Sequence, residues 1–79
     1  MRYDRKNQPS EIVSWCEYMV GGKEFLVEVF PKKMGSFQAM ASNEHGNKVQ
    51  KLATNTQFFE SKDLATDAVK QELERLYGA

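Results

Sequence analysis

The residues of this chain whose types could do chemistry are few and stand apart. His45 is the sole histidine and lies between Glu44 and Gly46 in a turn-forming run. A general base is conceivable there, but no nucleophile stands near it in sequence and a solvated loop imidazole is the simpler account. Cys16 is the sole cysteine. Without a second cysteine or a nearby histidine it has neither metal-ligand spacing nor a disulfide partner, and no neighbour that would hold a thiolate. A buried apolar position suits it better. Asp63, Asp67, Glu72 and Glu74 read as the acids of an exposed helical face. "VGGKE" lacks the pattern of a phosphate loop, and no G-x-G-x-x-G occurs. The expectation is a protein that is not an enzyme, with no catalytic residue, metal or cofactor.

The basic residues say more by placement than by number. Lys32 and Lys33 fall at a loop tip, Lys48 and Lys51 begin a third apolar run, and Lys62 opens the final helix. A loop tip and a helix N-terminus can both hold phosphate, the lysines by charge and the helix by its free N–H groups and dipole. Against this, 11 basic residues face 11 acidic ones in 79. That balance argues against tight, charge-driven binding to nucleic acid and leaves room for a local patch.

The elements that must position these groups fit one small domain. The 41% apolar and 11% aromatic content suffices for a core at this length. No apolar run approaches the length of a membrane span, and the polar start "MRYDRKNQPS" is no signal peptide. The expectation is therefore an intracellular, soluble protein with no membrane association. Residues 1–9 read as a flexible polar arm ending at Pro9, and residues 10–79 as the domain.

Two readings of "SEIVSWCEYMVGG" stay open. As a helix, Ser10 caps it, Ile12, Cys16, Met19 and Val20 form one stripe, and Gly21-Gly22 stops it. As a strand, Ile12, Val13, Trp15, Tyr18 and Val20 suit a pleat, and Gly21-Gly22 makes a two-residue hairpin. "EFLVEVF" (24–30) alternates as a strand and stops at Pro31. "SFQAMAS" follows, with Phe37, Ala39 and Ala41 on one face, and "KVQKLAT" (48–54) reads as a weaker third strand. Short loops between the runs imply an antiparallel meander. Last comes "SKDLATDAVKQELERLYG". Ser61 is its N-cap, Asp63 lies in its first turn and Gly78 ends it. Leu64, Ala65, Ala68, Val69, Leu73, Leu76 and Tyr77 form its apolar face, with Phe59 placed to staple onto Leu64. This helix is the natural cover for a three-stranded sheet.

The helical option gives the order α-β-β-β-α, an α+β fold whose three-stranded antiparallel sheet is covered by the C-terminal helix. That order resembles the double-stranded RNA-binding domain, with "SEIVSWCEYM" similar to its first helix and "SKDLATDAVKQELERL" to its closing one. The resemblance implies a small non-catalytic module recognising duplex RNA by shape, through the first helix, the loop between the first two strands and the start of the last helix. Carried over, the contacts are Glu11 and Ser14, Lys32 and Lys33, and Lys62. Asp63 and Thr66 stand where that family has lysine, so the implied binding is weak. Members lacking those lysines serve as protein-interaction or regulatory modules, which is the alternative function. The strand option instead gives a β-meander with one C-terminal helix. This is similar to the arm-binding domains of phage integrases, which lay the sheet face into the DNA major groove; Lys48 and Lys51 would sit on that face.

Overall fold

The computed structural model describes residues 12–78. Three strands, β1 (Ser14–Val20), β2 (Lys23–Pro31) and β3 (Phe37–Ser42), form an antiparallel meander in the order β1-β2-β3. One helix, α1 (Lys62–Tyr77), lies across the sheet and touches all three strands. The α+β class, with the C-terminal helix as cover, is as the sequence predicts.

The helical option for the first segment is corrected. Residues 10 and 11 lie outside the described residues, and Ser14–Val20 is a strand. The cause is pairing with β2. As a strand, Ser14, Cys16 and Tyr18 stand opposite Val29, Val27 and Phe25, the apolar row of β2. A capped amphipathic helix would leave that row's neighbouring edge unpaired. Gly21 and Gly22 complete the hairpin with φ of 55° and 79°, the two positive values that a type I′ turn demands. Gly21 does more than turn, because a Cβ there would collide with the backbone carbonyl of Tyr77. The hairpin thus abuts the end of α1.

Alternation then sorts the side chains. Val20, Phe25, Val27, Val29, Ala39 and Ala41 face the helix, whose Ala65, Val69 and Leu73 complete the core. The helical residues recur at intervals of four, the spacing of one helix face. Phe37, Cys16, Tyr18, Leu76 and Tyr77 pack around this centre, and the Phe25 and Tyr77 rings lie 5.0 Å apart. Cys16 is half-buried rather than enclosed. Leu64 departs from the predicted apolar face: it is 53% exposed. Phe59 is seated instead by two backbone hydrogen bonds with Phe37, of 2.7 and 2.8 Å.

Helix α1 begins as its sequence requires. The Ser61 hydroxyl oxygen accepts a hydrogen bond from the Leu64 N–H at 3.1 Å, and Asp63 sits at the positive end of the dipole. Gly78 follows Tyr77 in a right-handed conformation and donates its N–H to Glu74 O. On the helix flank, the Tyr18 hydroxyl donates to the Glu74 carboxylate at 2.6 Å. The Lys70 ammonium lies 5.1 Å from the centre of the Tyr18 ring. That hydrogen bond, with some burial, holds the Tyr18 phenol above its ordinary pKa. A second pair, Arg75 on Glu72 at 2.8 Å, pulls the Glu72 carboxyl below the usual range.

The predicted third strand over residues 48–54 is also corrected. The chain from Lys48 to Phe59 runs beside β3 but bridges to it only at its two ends, Lys48 with Ser42 and Phe59 with Phe37. Between them Ala53–Thr56 winds into a 3₁₀ turn. The Asn55 side-chain amide donates to Val49 O at 2.9 Å, and Asn55 O accepts from the Gln38 amide at 2.5 Å. Asparagine and threonine side chains that satisfy nearby backbone groups compete with a ladder in this way. Val49, Leu52 and Thr54 are nonetheless buried, so the broken strand closes one side of the core.

Leu73 is fully buried at the centre of the helix–sheet contact. Leu73→Ala is expected to lower the unfolding free energy by about 2–5 kcal/mol. Ser61→Ala, which removes only the cap, should cost about 1 kcal/mol. Urea unfolding followed by far-UV circular dichroism measures both, and equal costs for the two variants would contradict this assignment of the core.

Candidate functional site: the open face of the sheet

One face of the sheet is filled by α1; on the other, the 3₁₀ turn meets Gln38 at the β3 edge and no described element lies over the rest. The strand registers fix what that second face shows. Row by row across β1, β2 and β3 it carries Trp15, Glu28 and Met40, then Glu17, Leu26 and Ser42, with Met19 beside Glu24 at one end. Phe30 and Gln38 form the row at the other end. Trp15 is 47% exposed and Met19 61%. Leu26, Phe30 and Met40 are half-buried. Six of these ten side chains are neither charged nor amide-bearing, and five of those are large and apolar. Such a surface on a small domain marks a contact site more often than a solvated wall.

The charges on this face all have one sign: Glu17, Glu24 and Glu28, with no Lys, Arg or His among the described residues that face outward there. Glu28 is the unusual one. It occupies the central strand with only 8% of its surface exposed, and its Oε2 has no hydrogen-bond partner. A buried acceptor left unmet costs on the order of 1–3 kcal/mol. The amide of Gln38, one row away on the same face, is committed to Asn55 O. The sequence offers a signal for this site only once the strand reading is taken. The helical reading scatters Trp15, Glu17 and Met19 around a helix; the strand reading sets them in one row of alternate positions.

The residues that the resemblance singled out lie elsewhere. Glu11 is outside the described residues. Ser14 begins β1 and is half-buried on the side that faces α1. Lys32 and Lys33 are exposed in the β2–β3 loop. With Met34, Ser36 and Phe58 they line a shallow groove of about 530 Å³. Lys62 is the first residue of α1, exposed, and the Phe37–Phe59 pairing brings that helix start to the same end of the sheet. The structure therefore gathers Lys32, Lys33 and Lys62 at one end, where Glu60 and Asp63 are exposed among them. Met34, 98% exposed and held at φ 63°, is the tip of this loop. Lys48 and Lys51, by contrast, line a groove with Lys23 and Tyr77 and do not lie on the open face.

His45 is in an exposed turn, 3.7 Å from the Glu44 carboxylate. Among the described residues no group of three or more His, Cys, Asp or Glu could hold a metal ion. Comparison of the chain with family models, with curated proteins and with solved structures gives no match.

Glu28 is expected to be a residue the fold would be more stable without. Glu28→Met keeps the volume and removes the unmet acceptor, and should raise stability by about 1 kcal/mol. A urea unfolding curve decides this, and a clear loss of stability would show that Glu28 is held by partners its surroundings already supply.

Proposed function

We propose that this chain is a non-catalytic protein-binding module whose working surface is the open face of the sheet. The observation that carries the reading is the asymmetry of the sheet. One face is sealed by α1, and the other presents Trp15, Met19, Leu26, Phe30 and Met40 with no described element over them. Aromatic and methionine side chains supply contact area at low entropic cost and adapt to a partner's shape. The exposed Phe58 adds a second apolar point at the loop end.

The duplex-RNA reading has less support. It relies on a first helix, and β1 stands in its place. Its three lysines share one end of the domain with two exposed carboxylates, which weakens the attraction for phosphate. Laying the open face against DNA is opposed by three glutamates that would meet phosphate or groove acceptors. No helix among the described residues is long and apolar enough to cross a membrane.

The chain has a single tryptophan, and it lies on the proposed surface. Its fluorescence is therefore a built-in reporter. Peptides selected from a random phage library of about twelve residues on the full chain should shift Trp15 emission to the blue on binding. Met40→Ala should weaken them about tenfold, equal to about 1.4 kcal/mol. The Lys32, Lys33 and Lys62 triple alanine variant should bind them normally. If instead an RNA duplex of about 20 base pairs bound at low salt, and only the triple lysine variant lost it, the working surface would be the loop end and the reading would fail.

A further inference from the structure

We infer that the loop end of this domain is a self-association surface, on which a second copy of the chain docks about a two-fold axis through Met34 and Phe58. This surface is separate from the open face of the sheet, and the inference does not rest on the function proposed for that face.

Apolar exposure is the first observation. Of the six large apolar side chains left exposed among the described residues, Met34, Phe58 and Leu64 lie at this one end. Met34 and Phe58 line the same groove, at 98% and 62% exposure. The neighbouring Phe59 takes the inward place, packed against the core and bridged to Phe37. Alternation along the extended chain then leaves Phe58 and Glu60 outward, and both are exposed.

The second observation is the backbone. Met34 holds φ 63°, a left-handed conformation that methionine enters at a cost and glycine takes freely. The loop around it is fastened: the Lys32 N–H donates to Ser36 O and the Ser36 hydroxyl to Lys33 O, each at 2.8 Å. A strained tip that carries a thioether fully into water marks a contact. Its backbone has little freedom left to lose on docking.

Charge selects the occupant. Lys32, Lys33 and Lys62 share this end with Glu60 and Asp63, and all five are exposed. No salt bridge joins them to one another or to another described residue. A phosphate backbone or an acidic segment would meet the three lysines and be repelled by the two carboxylates. A second copy turned about a two-fold axis sets both signs against both signs, and Met34 and Phe58 against the same pair. Such self-complementarity is what an isologous interface requires. The patch is small, so the dimer is weak, with a Kd on the order of 100 μM.

Sedimentation velocity of the full chain, from about 10 μM to about 1 mM, brackets that affinity and tests the inference. The sedimentation coefficient should climb from the monomer value toward the dimer value. Phe58→Ser and Met34→Gly should each raise Kd about tenfold or more. Both variants should keep the circular dichroism melt of the parent, because the two residues lie outside the core and glycine suits φ 63°. Two charge variants separate a specific contact from general stickiness. Lys32→Glu with Lys33→Glu, and Glu60→Lys with Asp63→Lys, should each stay monomeric alone and form a dimer when mixed. A chain that is monomeric throughout would overturn the inference. So would a dimer that survives Phe58→Ser and is lost in Met40→Ala, which moves the contact to the open face. Binding of a monomeric chain to phosphatidylserine vesicles, abolished by Phe58→Ser, would give the patch to a lipid surface and overturn it as well.

Discussion

Everything in this domain depends on how closely α1 lies on the sheet, and three alanines govern that distance. Ala39 and Ala41 on β3 and Ala65 on the helix are all completely buried. Their methyl-sized side chains let the two layers approach until Val27, Val29, Val69 and Leu73 interdigitate. A three-stranded sheet has too little apolar area to persist alone, so the contact is a condition of folding. The polar contacts at the flank, Tyr18 on Glu74 with Lys70 over the ring, join the helix to β1. Exposed interactions of that kind contribute little free energy.

Because the helix takes one face entirely, the proposed binding surface is what remains of the sheet. The residues on the helix side are fixed by packing, whereas the open face is free to vary without loss of the core. On it stands a row in which a buried carboxylate is bordered by an indole and a thioether. Such a row is a poor choice for stability. Apolar residues at the same positions would pack as well and carry no desolvation cost. The electrostatic division is just as clear between surfaces: carboxylates on the open face, lysines mixed with acids at the loop end.

The parts of this fold legible in the sequence are those decided by local chemistry. Ser61, Asp63 and Gly78 bracket α1 correctly, and Phe25, Val27 and Val29 declare β2 by alternation. Residues 14–20 were ambiguous because Cys16, Met19 and Val20 satisfy a helical stripe as well as a pleat. What breaks the tie is not in the segment: it is the apolar row of β2 across a two-glycine turn. Residues 48–54 failed for the opposite reason. Their local pattern suits a strand, but Asn55 reaches back to the carbonyls of Val49 and Gln50 and closes a turn instead. Leu64 is misplaced by angle: it lies one residue, about 100°, round the helix from Ala65, off the face that Ala65, Val69 and Leu73 bury, and is left 53% exposed.

The candidate site was illegible for a reason that follows from the first ambiguity. A surface built from alternate residues of three strands has no contiguous motif, and its parts become neighbours only through register. Glu28 looks in sequence like the polar member of an alternating strand, the residue one expects in water. In the fold it stands on the central strand between Trp15 and Met40 and is only 8% exposed. A one-residue slip of β1 would replace Trp15 by Ser14 or Cys16 beside Glu28 and open the carboxylate to water. The hairpin turn at Gly21-Gly22, wedged against the end of α1, is what prevents that slip. The same contact that seats the helix therefore also sets the register on which the open face depends.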